Sequence, residues 1–342
     1  MRIRNWLALV AVLVLVAVAC QTDQVTETTA APGDGAETTA APGDGADTTQ
    51  PDVAQRDLTY SVVVHDEPAG TFWGVVTTGA EQAAQDLGVS VNVQGSGDPA
   101  EQADMVNAAV AQGVDGLAVS LANPDAMSGA LQGATDAGIP FVTLNSGLND
   151  WQALGAITHV GQDELIAGQG AGQRLNEAGV TKLICAIHEV GNVALDERCA
   201  GTEETFEGEV VRVQIDINDP VGSQATIRSA LEADPDVDGV LTLNPDMATT
   251  AALPAIQELG EDISLATFDL GTDVLAGIQA GEILFAVDQQ QYLQGYLPIV
   301  FLVLFNENLN TTGGGQAVLT GPGFVTADNV EAVQALVDQG TR

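Results

Sequence analysis

The chain has 342 residues, with 9 lysines and arginines against 47 aspartates and glutamates and a formal net charge of −38 at pH 7. So acidic a balance leaves no basic patch to neutralise phosphates, which excludes nucleic acid and anionic membrane surfaces as partners. Because 45% of the residues are hydrophobic, the charge does not signal disorder throughout, and the length allows two lobes of ordinary size.

The first element is an export signal over residues 1–19: Arg2 and Arg4 precede an apolar run from Trp6 to Ala19 that is short for a membrane span. It closes on Ala17-Val18-Ala19-Cys20, which resembles the lipobox of bacterial lipoproteins and makes Cys20 the expected lipidated residue. An ordinary export signal beside an incidental cysteine is the alternative. Residues 20–57 read as a disordered, lipid-anchored linker, with Thr-Thr-Ala-Ala-Pro-Gly-Asp-Gly-Ala occurring at 28–36 and again at 38–46. Threonine, alanine, proline, glycine and acid cannot bury a core. The folded part is expected to begin near Leu58.

From there apolar runs alternate with amphipathic ones, the pattern of a parallel sheet with covering helices. Strands are predicted at 60–64, 89–93, 116–120, 140–144 and 156–160, with helices at 72–87, 99–112 and 124–137 between them. A helix at 163–178 opens a second series, with strands at 183–187, 210–215, 239–243, 264–268 and 284–287 and helices at 221–233, 248–259 and 272–280. A strongly apolar helix at 292–306 and an amphipathic one at 326–338 close the chain.

The two series echo one another. Val-Asp-Gly-Leu-Ala-Val-Ser-Leu-Ala-Asn-Pro-Asp-Ala at 114–126 is repeated in outline by Val-Asp-Gly-Val-Leu-Thr-Leu-Asn-Pro-Asp-Met-Ala at 237–248, and Ile-Pro-Phe-Val-Thr-Leu-Asn-Ser-Gly at 139–147 by Ile-Ser-Leu-Ala-Thr-Phe-Asp-Leu-Gly at 263–271. This duplication predicts two similar α/β lobes and places Asn145 and Asp269 at equivalent strand ends. Ligands in open α/β sheets bind beyond the carboxyl ends of the strands. Short side chains there reach hydroxyl groups, unless they serve only as helix caps or turn residues. Asn244 ends another strand in the same way. Phe72 and Trp73 stand at the mouth of the first lobe, one ring expected in the core and one, Trp73, in the cleft. Arg198, in Leu195-Asp-Glu-Arg-Cys-Ala-Gly after a polar loop, is a candidate donor to ligand oxygens, with a surface ion pair to Asp196 or Glu197 as the bland alternative. With Cys20 assigned to lipid, Cys185 and Cys199 remain in an exported chain, where a disulfide is permitted; a buried free thiol at Cys185 is the competing reading.

No catalytic constellation is visible. His65, His159 and His188 lack metal-ligand spacing, no serine sits in a nucleophile elbow, and Gly168, Gly170 and Gly172 fall inside a helical pattern, where they read as close helix packing. Neither a metal nor a cofactor is expected.

The region from about 58 to 338 resembles the sugar-binding periplasmic proteins of the ribose-binding type, the substrate receptors of ABC importers. The matching pieces are Phe72-Trp73, Thr143-Leu-Asn145, Arg198-x-x-Gly201, Asn244-Pro-Asp-Met-Ala, Phe268-Asp269 and Asp288-Gln289-Gln290. The resemblance implies a ligand site at Phe72, Trp73, Asn145, Arg198, Asn244, Asp269 and Gln289. It also implies a type I periplasmic binding fold: two similar doubly wound parallel-sheet lobes joined by a three-crossover hinge near 158–162, 287–291 and 317–322. One lobe is then 58–160 plus 291–319, and the other 161–290 plus 320–342. Gly70-Thr71 stands where the ribose type often has Asn-Pro, and Asn145-Ser146 where Asp-Arg is frequent, which points away from ribose itself. The function implied is an extracytoplasmic, lipid-anchored, monomeric receptor that delivers a monosaccharide or polyol to an ABC permease. A nucleoside or furanose-signal receptor, or a sensor partner of a membrane chemoreceptor or kinase, is the alternative on the same fold.

Overall fold

The computed structural model describes residues 53–342. The expected export signal, Cys20 and the expected linker before Val53 lie outside the described residues. The described chain is already docked ahead of Leu58: the Arg56 amide donates to Gly88 O at 2.7 Å and its guanidinium pairs with Glu307 at 2.7 Å.

The first series runs β1 (Thr59–Val64), α1 (Gly70–Leu87), β2 (Ser90–Gly95), α2 (Pro99–Gln112), β3 (Gly116–Ser120), α3 (Pro124–Asp136), β4 (Phe141–Leu144), the single turn α4 (Trp151–Leu154) and β5 (His159–Gln162). The second runs α5 (Glu164–Glu177), β6 (Lys182–Ile187), α6 (Val193–Thr205), β7 (Glu209–Gln214), α7 (Pro220–Ala233) and β8 (Gly239–Thr242). A helix then starts as α8 (Pro245–Met247), passes through a π-helical segment (Ala248–Ala252) and ends as α9 (Leu253–Leu259), followed by β9 (Ser264–Phe268), α10 (Thr272–Ala280) and β10 (Phe285–Asp288). The chain closes with α11 (Gln291–Asn308), β11 (Val318–Gly321), β12 (Gly323–Thr326) and α12 (Val330–Asp338).

The strands form two six-stranded sheets with matching orders, β11-β5-β4-β3-β1-β2 and β12-β10-β9-β8-β6-β7. Among the described residues all pairings are parallel except β10 with β12. Buried strands such as β3, with every residue inside, need apolar side chains on both faces because helices cover both. Two apolar cores flank each sheet. The chain passes between sheets three times: after β5, after β10, and between β11 and β12.

In each half one helix pair packs backbone to backbone. A Cβ at Gly79 would strike the Tyr292 carbonyl of α11, and one at Gly295 the Val76 carbonyl of α1. In the second half a Cβ at Gly168 would strike the Arg198 carbonyl of α6, and one at Gly201 the Leu165 carbonyl of α5. The glycines of α5 are therefore packing residues. Although α11 is strongly apolar, no helix among the described residues is long and apolar enough to cross a membrane.

Several elements differ from the sequence reading. Residues 193–205 form a helix that the sequence reading did not place, because the buried face of α6 consists of Ala194, Leu195, Arg198, Cys199, Gly201 and Thr202 and carries little apolar signal. Asn192 caps it through the Ala194 amide. The third crossover contains two four-residue strands, and the final helix begins at Val330 rather than near 326. Cys185 on β6 and Cys199 on α6 are both fully buried and joined as a disulfide, with Cα atoms 6.1 Å apart.

Candidate functional site

The twin strand ends carry the same unusual backbone. Asn145, after β4, has φ 60°, and Asp269, after β9, has φ 69°. This left-handed region is unfavourable for residues with a Cβ, and Asn and Asp enter it most readily after glycine. Each amide is held by the neighbouring strand: Asn145 N donates to Val160 O at 3.0 Å and Asp269 N to Val287 O at 2.7 Å. Glycine would take this backbone with less strain, so the presence of side chains here points to what the side chains do.

Gln289, at the second crossover, joins the two. Asn145 Nδ2 donates to Gln289 Oε1 at 3.1 Å, and Gln289 Nε2 donates to Asp269 Oδ1 at 2.7 Å. Gln294 supports the relay from α11, donating to Gln289 Oε1 at 2.8 Å and to Thr320 Oγ1 at 3.2 Å. One hydrogen-bonded chain thus runs from one sheet to the other through the hinge.

Around this relay lies a cavity of about 280 Å³ between the lobes, lined by all seven residues singled out in the sequence. Their environments differ from expectation in three places. Phe72 and Trp73 both belong to the apolar core of the first lobe and both line the cavity; their rings meet edge to face at 4.8 Å and 83°. Asn244 caps the following helix, its Oδ1 accepting from Asp246 N at 2.8 Å and Met247 N at 3.1 Å.

Arg198 differs most. It sits within α6, only 3% exposed, and its fork engages Glu164, with Nε 2.7 Å from Oε2 and Nη2 3.0 Å from Oε1. Nη1 donates to Leu243 O at 3.0 Å and lies 3.7 Å from Asp269 Oδ2. It is therefore not paired with Asp196 or Glu197, the alternative reading; those carboxylates meet Arg212 and Asn149 instead. Burial pushes the Asp269 carboxyl up to about 7, against the opposing pull of the Arg198 charge and the Gln289 hydrogen bond.

Sequence reasoning missed the polar groups at the first strand of each lobe. His65 follows β1 and His188 follows β6, so they are twins like Asn145 and Asp269, a signal that the repeat contained. Burial holds both well down, to about 4, so they are neutral near pH 7. Glu189 lies 3.8 Å from a ring nitrogen of each. Also missed were the contacts that close the cleft: Thr71 Oγ1 to Asp246 Oδ1 at 2.7 Å, Asn149 Nδ2 to Glu197 Oε1 at 2.7 Å, and Val193 N to Ala122 O at 3.1 Å.

With Arg198 engaged by Glu164, the cavity wall carries Asp66, Glu67, Glu189, Asp246 and Asp269 and, among the described residues, no cation free of a carboxylate. Such a wall disfavours phosphorylated or carboxylated ligands and suits neutral ones that donate hydrogen bonds.

Residues 60–305 match the periplasmic binding protein domain. The xylose/arabinose-binding protein of Sulfolobus acidocaldarius is 27% identical over 252 residues, which is 66% of this chain and 61% of that protein. The chain thus spans somewhat less than two thirds of that relative. The ribose import binding protein of Bacillus subtilis is 28% identical over 231 residues, 66% of this chain and 74% of the other. Among solved structures, a carbohydrate transporter from Acidothermus cellulolyticus in complex with myo-inositol superposes with a TM-score of 0.82 at 37% identity, covering 84% of this chain and all of that one.

Proposed function

This chain belongs to the periplasmic binding proteins, and we propose that it captures a neutral monosaccharide or related polyol between its lobes and delivers it to the permease of an ABC importer. It is a binding protein, not an enzyme. In this reading a lipid on Cys20 holds it to the outer face of the membrane, and the acidic linker spaces it from that surface.

The observation that carries the reading is the pair of left-handed strand ends, Asn145 and Asp269, joined by Gln289 beside a cavity of about 280 Å³. That volume lies just below the ~300–1,000 Å³ typical of drug-sized ligands, which suits a single ring. Asp269 accepts from hydroxyls, Asn145 both donates and accepts, and Trp73 offers an apolar surface to ring C–H groups. Relatives named for ribose and for xylose and arabinose, and the neighbour holding myo-inositol, support the same ligand class. A nucleoside is favoured less, since Phe72 and Trp73 stand at 83° and do not present parallel faces to a base.

A thermal-shift screen with pentoses, hexoses and inositols tests this. At about 100 times its Kd a ligand stabilises the folded protein by roughly 2.7 kcal/mol. A screen in which no neutral sugar or polyol raises the melting temperature overturns the reading.

A further inference from the structure

The cleft does not end at the cavity beside Asn145 and Asp269. Past a wall formed by His65, His188, Glu189 and Asn192, it opens into a second chamber of about 360 Å³ whose lining comes from both lobes. Ser96 and Gly97 follow β2, and Ile215 to Asn218 follow β7. These are the edge strands opposite those that carry the crossovers, so the chamber is the outer end of the cleft, away from the hinge.

Two of its polar side chains, Asn123 and Gln102, keep hydrogen-bonding capacity that the fold does not use. Asn123 is the repeat partner of Asn244, and both open an Asn-Pro-Asp turn. Asn244 caps its helix; Asn123 makes no side-chain bond to α3, so its amide is left to the chamber. Gln102 is 1% exposed and uses its Nε2 on Ser120 O at 2.9 Å, while its Oε1 takes no bond from any described residue. Asp66 and Asp216 add carboxylates, and among the described residues no lysine or arginine lines the space. Within the second lobe the dividing wall is tied by Asn192 Nδ2 donating to Glu189 Oε2 at 2.7 Å, but its links across to His65 of the first lobe are long, 3.4 Å from Asn192 Nδ2 and 3.8 Å from Glu189 to Nε2. These lie near or beyond the limit of useful hydrogen bonds, so a linking oxygen can replace them at little loss.

We propose that the outer chamber is a second ring subsite. The ligand is then a two-ring glycoside whose inner ring sits at Asn145 and Asp269 and whose outer, hydroxylated and uncharged ring sits against Asn123 and Gln102. The proposal rests on the sugar-or-polyol reading and extends it from one ring to two.

Calorimetric titration with matched probes tests it: myo-inositol against galactosyl-myo-inositol, and each pentose and hexose against its disaccharide. At least one two-ring probe binds no more weakly than its one-ring parent. Asn123→Leu then weakens that two-ring probe tenfold or more and leaves the parent within twofold, which also shows that the variant folds. One-ring probes that bind while every two-ring probe fails overturn the second subsite alone. So does an Asn123→Leu protein that binds both sizes like wild type. If no probe of either size binds, the sugar-or-polyol reading falls and the subsite with it.

Discussion

Asp269 and Arg198 look alike in the sequence, as polar residues in matching motifs, yet the structure separates what they do. Asp269 has a strained backbone, a side chain on the cavity wall and one hydrogen bond from Gln289. Glycine accepts φ near 69° freely. Asp269→Gly is therefore expected to keep the unfolding free energy within about 1 kcal/mol of wild type while weakening ligand binding ten- to a hundredfold, since a charge-assisted bond is worth roughly 1.5–3 kcal/mol. Arg198→Ala leaves Glu164, 1% exposed, as an unpaired buried charge. Breaking such a pair costs about 3–5 kcal/mol, so this variant loses stability in urea denaturation as well as affinity. An Arg198→Ala protein as stable as wild type contradicts the assignment of Arg198 to the core of the second lobe. The motif singled out Arg198 in the sequence, but not Glu164, which lies 34 positions earlier and meets it only because α5 and α6 pack face to face.

At the scale of elements, α6 was the least legible part of the chain. Its hydrophobic face is replaced by an arginine, a cystine, a threonine and a glycine that lets α5 approach, none of which registers as helical periodicity. The disulfide ties this helix to β6 across a separation of 14 residues. Thiol labelling of the unfolded, unreduced protein should find neither Cys185 nor Cys199 free. Replacing both with alanine should cost about 2–4 kcal/mol of stability by the loop-closure argument, and two labelled thiols in the unreduced protein would contradict the bridge. The strands supply a pH dependence. His65 and His188 at the twin strand ends and His159 on β5 are buried and held down to about 4, mainly by desolvation. Between about 6.5 and 4 the unfolded chain binds these protons and the folded one does not, so stability is present above that window and lost as pH falls through it. Asp269, raised to about 7, acts oppositely, its contribution being full at low pH and lost as pH rises from about 3.8 to 7. Three histidines outweigh one carboxyl, so denaturant midpoints should be lower at pH 4.5 than at pH 7. A flat profile contradicts the burial of the histidines.

The whole molecule was legible where the repeat spoke. The twin sheets, the matched strand ends and the convergence of Phe72, Trp73, Asn145, Arg198, Asn244, Asp269 and Gln289 on one cavity follow from a duplicated strand-turn-helix pattern and the family motifs. What the sequence could not convey is closure. Contacts such as Thr71 with Asp246 and Asn149 with Glu197 join residues from separate lobes whose meeting depends on the hinge angle. A net charge of −38 sets a second global property. Self-repulsion of the compact state is screened by salt, the Debye length falling from about 30 Å at 0.01 M to about 3 Å at 1 M. The melting temperature is expected to rise over that range, and a fall would contradict this reading of the surface. The central claim, that Asn145 and Asp269 grip one neutral hydroxylated ring, is tested most directly by calorimetric titration of wild type and Asp269→Gly with the sugar or polyol that most raises the melting temperature. The account predicts one site per chain, with affinity reduced at least tenfold in the variant and the melting curve little changed. A variant that folds and binds as tightly as wild type contradicts it.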